Sequence, residues 1–218
     1  MPVLNRTRRR IPRGLAIGIG ALLAVAGLLV AGWTLWGLFR PPPDGFSPTG
    51  DRAIEIGGQP PVFQYTIDAR SRRDWAYFNF SRGTTVSTSR ESLDWDLAFR
   101  RTDLLTNGGE TNPASHGEAF DFGDVPLGEL QATPADSYLA DTTHDERGLE
   151  NPALHGWYSY DWIRHVISSK GHTYGVRTAT GETAFITFLS YYCDDGSSGC
   201  ITFQYLYPAP TATFSSES

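Results

Sequence analysis

The chain has 218 residues, enough for one domain of ordinary size with appendages, and carries 18 Lys and Arg against 24 Asp and Glu, a formal net charge of −6. Six arginines and no acid fall in the first 40 residues, so the remainder holds 24 acidic against 12 basic residues, a net charge of −12. A domain of that charge repels nucleic acid and anionic lipid headgroups, which argues against nucleic acid as a partner.

Residues 14–39 contain no charge. A helix over this stretch spans about 39 Å, more than the roughly 30 Å hydrocarbon core of a bilayer, so it reads as a transmembrane signal anchor. The competing reading is a cleaved signal peptide, because Ala24-Val-Ala26 has the small-x-small form of a cleavage site. Cleavage there leaves Gly27 to Phe39 apolar on the mature end, which favours the anchor. Gly14 and Gly18 form a GxxxG, a weak signal in membrane helices. Arg6, Arg8, Arg9, Arg10 and Arg13 precede the helix and only Arg40 immediately follows it, so the positive-inside bias places the basic segment 1–13 in the cytoplasm and the rest outside. The expected location is the cytoplasmic membrane, single-pass, with the folded domain extracytoplasmic, at the cell surface or in the periplasm.

Residues 40–50, Arg40-Pro-Pro-Pro-Asp-Gly-Phe-Ser-Pro-Thr-Gly50, read as an extended, semi-rigid spacer. The folded body is expected over 51–208 and a loose tail over 209–218. Strands are predicted near 62–68, 75–81, 93–101, 118–122, 173–178, 183–192 and 200–207, giving an all-β, β-rich single antiparallel domain behind the N-terminal helix. In Leu93-Asp-Trp-Asp-Leu-Ala-Phe99 the apolar Leu93, Trp95, Leu97 and Phe99 alternate with Asp94, Asp96 and Ala98, the period of a half-buried strand. Strand 183–192 is apolar on both faces, so it belongs at the centre of a sheet, and it forms a hairpin with 200–207. The polar, Gly- and Pro-rich stretches 102–117 and 123–156 are expected loops, within which Asn107-Gly-Gly109 is a turn.

Cys193 and Cys200 flank the hairpin tip Asp194-Asp-Gly-Ser-Ser-Gly199. Outside the cytoplasm such a pair is expected to close as a disulfide, and its spacing is neither C-x-x-C nor a zinc ribbon. Asp94 and Asp96 invite a third reading, a carboxylate-based hydrolase. Catalytic pairs come from separate elements flanking a cleft, however, whereas neighbouring acids on one strand are ordinarily a solvated face, paired here with Arg100 or Arg101. No G-x-S-x-G, Walker or H-E-x-x-H motif occurs, and the protein is not expected to be an enzyme.

The blocks Trp75-Ala-Tyr-Phe-Asn-Phe80, Leu93 to Phe99, Thr106-Asn-Gly-Gly109, Tyr174-Gly-Val-Arg-Thr-Ala-Thr-Gly181, Leu189-Ser-Tyr-Tyr192 and Gly199-Cys-Ile-Thr-Phe-Gln-Tyr-Leu-Tyr-Pro208 together resemble the HmuY-like family of bacterial haem-binding proteins. The resemblance runs from about residue 62 to 208 and is weakest between Phe122 and Trp157, the region where that family places its haem ligands. It implies the HmuY-like fold, haem as cofactor, and haem capture or sequestration without catalysis. The family's best-known members are lipoproteins. Here no cysteine precedes Cys193, so the chain departs from them at the point of attachment.

Haem iron takes His, Met, Cys or Tyr as axial ligands. The only methionine is Met1 and the two cysteines are expected to pair, leaving tyrosines and the histidines 116, 144, 155, 165 and 172. The richest setting is His155-Gly-Trp-Tyr-Ser-Tyr-Asp-Trp-Ile-Arg-His165, where Trp157, Tyr160 and Trp162 offer aromatic walls and Arg164 a partner for a propionate. On a straight strand the two end histidines would lie about 33 Å apart, so joint ligation needs a tight reversal. The resemblance implies one ligand ahead of Trp157 and one just after it, which points to His144 or His155 and to His165, with His165 and His144 as the leading iron ligands. The plain alternative is that the histidines are ordinary loop residues and the aromatics are core. In that case the chain is a non-haem binding or scaffolding module of the same fold, meeting another surface protein or a polysaccharide. The expected partners are the membrane, through the N-terminal helix, and haem or a haem-carrying protein.

Overall fold

The computed structural model describes residues 13–39, 41–58, 60–130 and 137–209. Most of the basic segment 1–13, Arg40 of the spacer and nearly all of the expected tail lie outside the described residues. Contacts divide the chain into two compact units, Met1–Pro42 with Trp162–His165, and Pro43–Asp161 with Val166–Ser218.

The first unit contains α1 (Arg13–Leu38), 26 residues long. Its apolar side chains from Ile19 to Trp36 are exposed, and among the described residues it is the one helix long and apolar enough to cross a membrane. Thr34 directs its hydroxyl back to the carbonyls of Val30 (3.0 Å) and Ala31 (2.9 Å), so the helix satisfies that polar group internally. In the same unit Arg164 donates from Nη2 to the Pro41 carbonyl at 3.0 Å.

The second unit is antiparallel β. Its strands are β1 (Ile54–Gly57), β2 (Val62–Asp68), β3 (Ala76–Asn79), β4 (Thr84–Val86), β5 (Leu97–Arg100), β6 (Asp103–Thr106) and β7 (Glu118–Asp121). They continue with β8 (Thr142–His144), β9 (Gly148–Glu150), β10 (Tyr158–Asp161), β11 (Val166–Ser169), β12 (Thr173–Arg177), β13 (Thr183–Tyr192) and β14 (Ser198–Leu206). A six-stranded sheet runs in the order β1-β2-β14-β13-β12-β7 and a four-stranded one in the order β4-β3-β5-β6, while β8–β9 and β10–β11 are separate hairpins.

Aromatic rings knit the two larger sheets face to face. Phe99 of β5 stacks on Phe203 of β14 at 5.5 Å, and Phe78 of β3 meets Tyr65, Phe203 and Tyr205 at 4.9, 5.1 and 5.7 Å. Such ring pairs add roughly 0.5–1.5 kcal/mol each beyond the area they bury. As its two-faced pattern predicts, β13 is central: Ala184, Ile186 and Phe188 enter this core, while Phe185 packs on the opposite face with Leu206 and Leu130 beneath Phe122, Val125 and Leu127. The β13–β14 hairpin is closed by the Cys193–Cys200 disulfide.

Two expectations are corrected. Residues 44–49 are not a free spacer, since Phe46 donates its N–H to Tyr192 O (3.0 Å), Thr49 to Thr66 O (2.8 Å), and Thr66 N–H returns to Thr49 Oγ1 (2.8 Å). The folded unit therefore begins near Pro43. The strand expected over 93–101 is confined to Leu97–Arg100, because Trp95 and Asp96 turn inward before the ladder starts. Asp96 accepts hydrogen bonds from the backbone of Phe80 (2.8 Å) and Ala179 (3.1 Å), whereas Asp94 is exposed and pairs with Arg82 at 3.2 Å. One carboxylate is a buried brace and the other a surface ion pair, and the expected partner Arg100 pairs with Asp103 instead. Asp94 and Asp96 therefore do not share one acidic face.

Candidate functional site

The loop-rich middle is held in place by polar anchors. Asn107, Gly108 and Gly109 form the expected turn, with the buried Asn107 side chain donating to Ser92 O (2.9 Å) and Trp95 O (2.7 Å). A Cβ on Gly108 would lie 2.1 Å from the Gly117 carbonyl oxygen, so only glycine permits these two backbones to touch. Asp141, also buried, accepts from Thr106, Thr111 and Asn151 and fastens the strand pair β8–β9 to this turn region.

His155 sits on a turn pinned at both ends. Asn151, fully buried, donates to Asp141 Oδ1 (2.9 Å) and Leu139 O (2.8 Å), while its own Oδ1 accepts from the N–H groups of Ala153 (3.0 Å) and Leu154 (3.2 Å). His155 N–H then bonds Asn151 O at 2.8 Å. At the other end Trp157 is 1% exposed, donates Nε1–H to Thr102 O (3.1 Å) and packs on Phe188 at 4.8 Å. Trp157 is thus part of the main core. The His155 side chain between these anchors is half exposed.

Facing it is Glu150, the last residue of β9. Arg147 grips both carboxylate oxygens, Nε to Oε2 at 2.5 Å and Nη2 to Oε1 at 2.7 Å, and His155 Nδ1 stands 3.4 Å from Oε2. The Arg147 bond holds the Glu150 carboxyl below the usual carboxylate range. These groups border a cavity of about 250 Å³ whose lining also includes Leu104, Leu149 and Tyr158.

The remaining expected site residues lie elsewhere. His144 accepts the Glu146 N–H on its Nδ1 at 3.3 Å. Tyr160 is half-buried on β10 opposite Ile167. Trp162, 80% exposed, Arg164 and His165 occupy the turn between β10 and β11, where His165 adopts φ +55°, a left-handed conformation uncommon outside glycine. His172 faces Asp121 at 3.0 Å and Asp124 at 3.7 Å. Among the described residues no three His, Cys, Asp or Glu side chains converge as a metal site. Arg147 and Glu150 were not among the residues singled out from sequence. Their i, i+3 spacing beside His144 and His155 was the available signal.

The architecture defines an antiparallel two-sheet β protein with a histidine-bearing flank. Residues 71–205 match the family described as HmuY protein, and the chain belongs to the HmuY family, a family of haem-binding proteins. No curated protein matches. The fold is shared with a Bacteroides fragilis protein provisionally described as a lipoprotein (23% identity, TM-score 0.58, covering 73% of this chain and 97% of the other). It is shared also with a Bacteroides vulgatus protein provisionally described as HmuY-like and haem-binding (22%, 0.58, 72% and 97%). A third similar structure is the apo HmuY analogue of Tannerella forsythia (19%, 0.53, 71% and 95%).

Proposed function

We propose that this protein is a membrane-anchored, extracytoplasmic binder of haem that captures or sequesters the group without transforming it. Membership of the HmuY family supports the ligand class. The observation that carries the reading for this chain is the half-exposed imidazole of His155 at a cavity lined in part by Leu104, Leu149 and Tyr158. The donor set fits the group through an imidazole for iron and Leu104, Leu149 and Tyr158 for porphyrin surface, while Arg147 stays paired with Glu150. Bound haem supplies a Lewis-acidic iron, and the chain's part is to present a nitrogen and exclude water from one side. The axial candidates are His155 and His165, with Tyr160, Trp162 and Arg164 close to the latter in sequence.

Anchoring through α1, with the N-terminus cytoplasmic, is supported by the helix's exposed apolar surface and by the arginine bias before it. The test is a titration of the full chain in detergent with ferric haem, following the Soret and Q bands. A sharp, saturable Soret shift is expected, and no spectral change up to tens of micromolar would leave the second reading. That reading, a binding module of the same fold without haem, is favoured by one feature, the exposed apolar pair Trp162 and Ile163.

A further inference from the structure

We propose that Glu150 is a positioning residue that prepares His155 as an iron ligand, and that His144, at the end of β8, is held in the opposite tautomer and does not ligate. The inference rests on the haem-binding reading and assigns roles within it.

A neutral imidazole has one N–H and one lone pair, and an ionised carboxylate only accepts. Glu150 is oriented by the two-point grip of Arg147, which fixes the plane of the carboxylate and leaves Oε2 turned toward His155 Nδ1. At 3.4 Å the contact is longer than an N–H···O hydrogen bond, so its effect in this geometry is electrostatic. It is attractive when Nδ1 carries the proton and repulsive when Nδ1 presents its lone pair. The proton therefore belongs on Nδ1, and the Nε2 lone pair faces outward, ready for a metal. This is the arrangement in which ligating histidines are held by a carboxylate behind them.

His144 is the reverse. Its Nδ1 accepts the backbone N–H of Glu146, which requires the lone pair on Nδ1 and the proton on Nε2. Ligation through Nε2 would need that proton moved to Nδ1, and ligation through Nδ1 would use its lone pair, so either breaks the bond to Glu146. The supports differ too. His155 rides on the turn fixed by Asn151 and Trp157, whereas His144 ends a three-residue strand whose neighbour Thr143 is tied to Glu110.

Two measurements on the full chain in detergent decide the matter. In haem-free protein with ¹⁵N-labelled histidine, long-range ¹H–¹⁵N correlation should give His155 as the Nδ1–H form and His144 as the Nε2–H form. The opposite assignment at His155 overturns the proposal without any variant. Ferric haem titration of Glu150→Gln should then show about a 10–100-fold weaker affinity. The same variant should show His155 as a mixture of tautomers, with the His144 signals unchanged. His144→Ala should bind like the parent. A parent that takes up no haem overturns the haem-binding reading and this inference with it. A parent that binds while Glu150→Gln binds equally well overturns this inference alone.

Discussion

Thr106 and Asp141, 35 residues apart in the chain, are joined at both ends of one threonine: the Thr106 N–H reaches the carboxylate at 3.0 Å and the hydroxyl at 2.6 Å. Thr111 Oγ1 (2.7 Å) and Asn151 Nδ2 (2.9 Å) complete the shell. Replacing Asp141 by Ala would strand these buried donors, each worth about 1–3 kcal/mol when left unpaired. Asp141→Ala is expected to lower the unfolding free energy by about 3 kcal/mol or more, read from urea midpoints at unchanged slope. Because Asn151 also shapes the turn under His155, haem affinity should fall with stability. An effect below about 1 kcal/mol would show that water replaces the carboxylate.

Burial pushes the carboxyls of Asp96 and Asp141 up from the ordinary range, against the hydrogen bonds that favour their charged forms. With the folded-state pKa raised, the folded state holds more protons than the unfolded one between the two values, so stability is lost as pH rises through that window. In Asp96→Asn that titration is gone. The stability difference, parent minus Asp96→Asn, should therefore be most favourable to the parent near pH 4 and shrink toward neutrality. Denaturation at three or four pH values tests it, and a difference that grows with pH would reverse the assignment.

The ladder strands were legible because their physics is local. Strand 62–68 and strand 183–192 coincide with β2 and β13, and the two-faced apolar pattern of β13 placed it centrally. The hairpin cysteines were legible for the same reason, as one turn separates them. What escaped depends on partners far along the chain. β6, Asp103-Leu-Leu-Thr106, lies in a stretch read as loop, and its buried residues Leu104 to Thr106 give no alternation. The short pairs β8–β9 and β10–β11 have polar, half-exposed faces with little hydrophobic period to read. At the candidate site the histidines were visible, but Trp157 reads alike as cofactor wall or core until Phe188 and Thr102 are placed beside it.

The disulfide closes a short loop, and losing it should remove about 2–3 kcal/mol by the chain-entropy relation. Cys193 and Cys200 share a disulfide, so neither should react with maleimide in unreduced protein even after denaturation. The Cys193→Ser, Cys200→Ser double variant should show the lower urea midpoint. Two thiols titrating in protein isolated from its native compartment would count against both the bond and the extracytoplasmic location.

Membrane retention tests the anchor. With an apolar run continuing from Gly27 to Phe39 beyond the small-residue site, the protein should stay in the membrane pellet through high-salt and carbonate washing and enter solution only with detergent. Peptide mapping should recover residues ahead of Ala26. A mature N-terminus at Gly27 or later would replace the anchor with a cleaved signal.

The second axial position is settled by a histidine panel. If His155 supplies one ligand, His155→Ala should lose the parent's Soret shift or convert a six-coordinate spectrum to a five-coordinate one. His165, on the exposed turn after β10, is expected to give the complementary five-coordinate spectrum when changed to Ala. His172 already faces the carboxylates of Asp121 and Asp124, and the exposed His116 lies on the loop whose backbone bonds Ala179. Alanine at either should leave the spectrum unchanged. A six-coordinate spectrum that survives His165→Ala would move the second ligand to a tyrosine. Five single variants that all bind like the parent would exclude histidine ligation altogether.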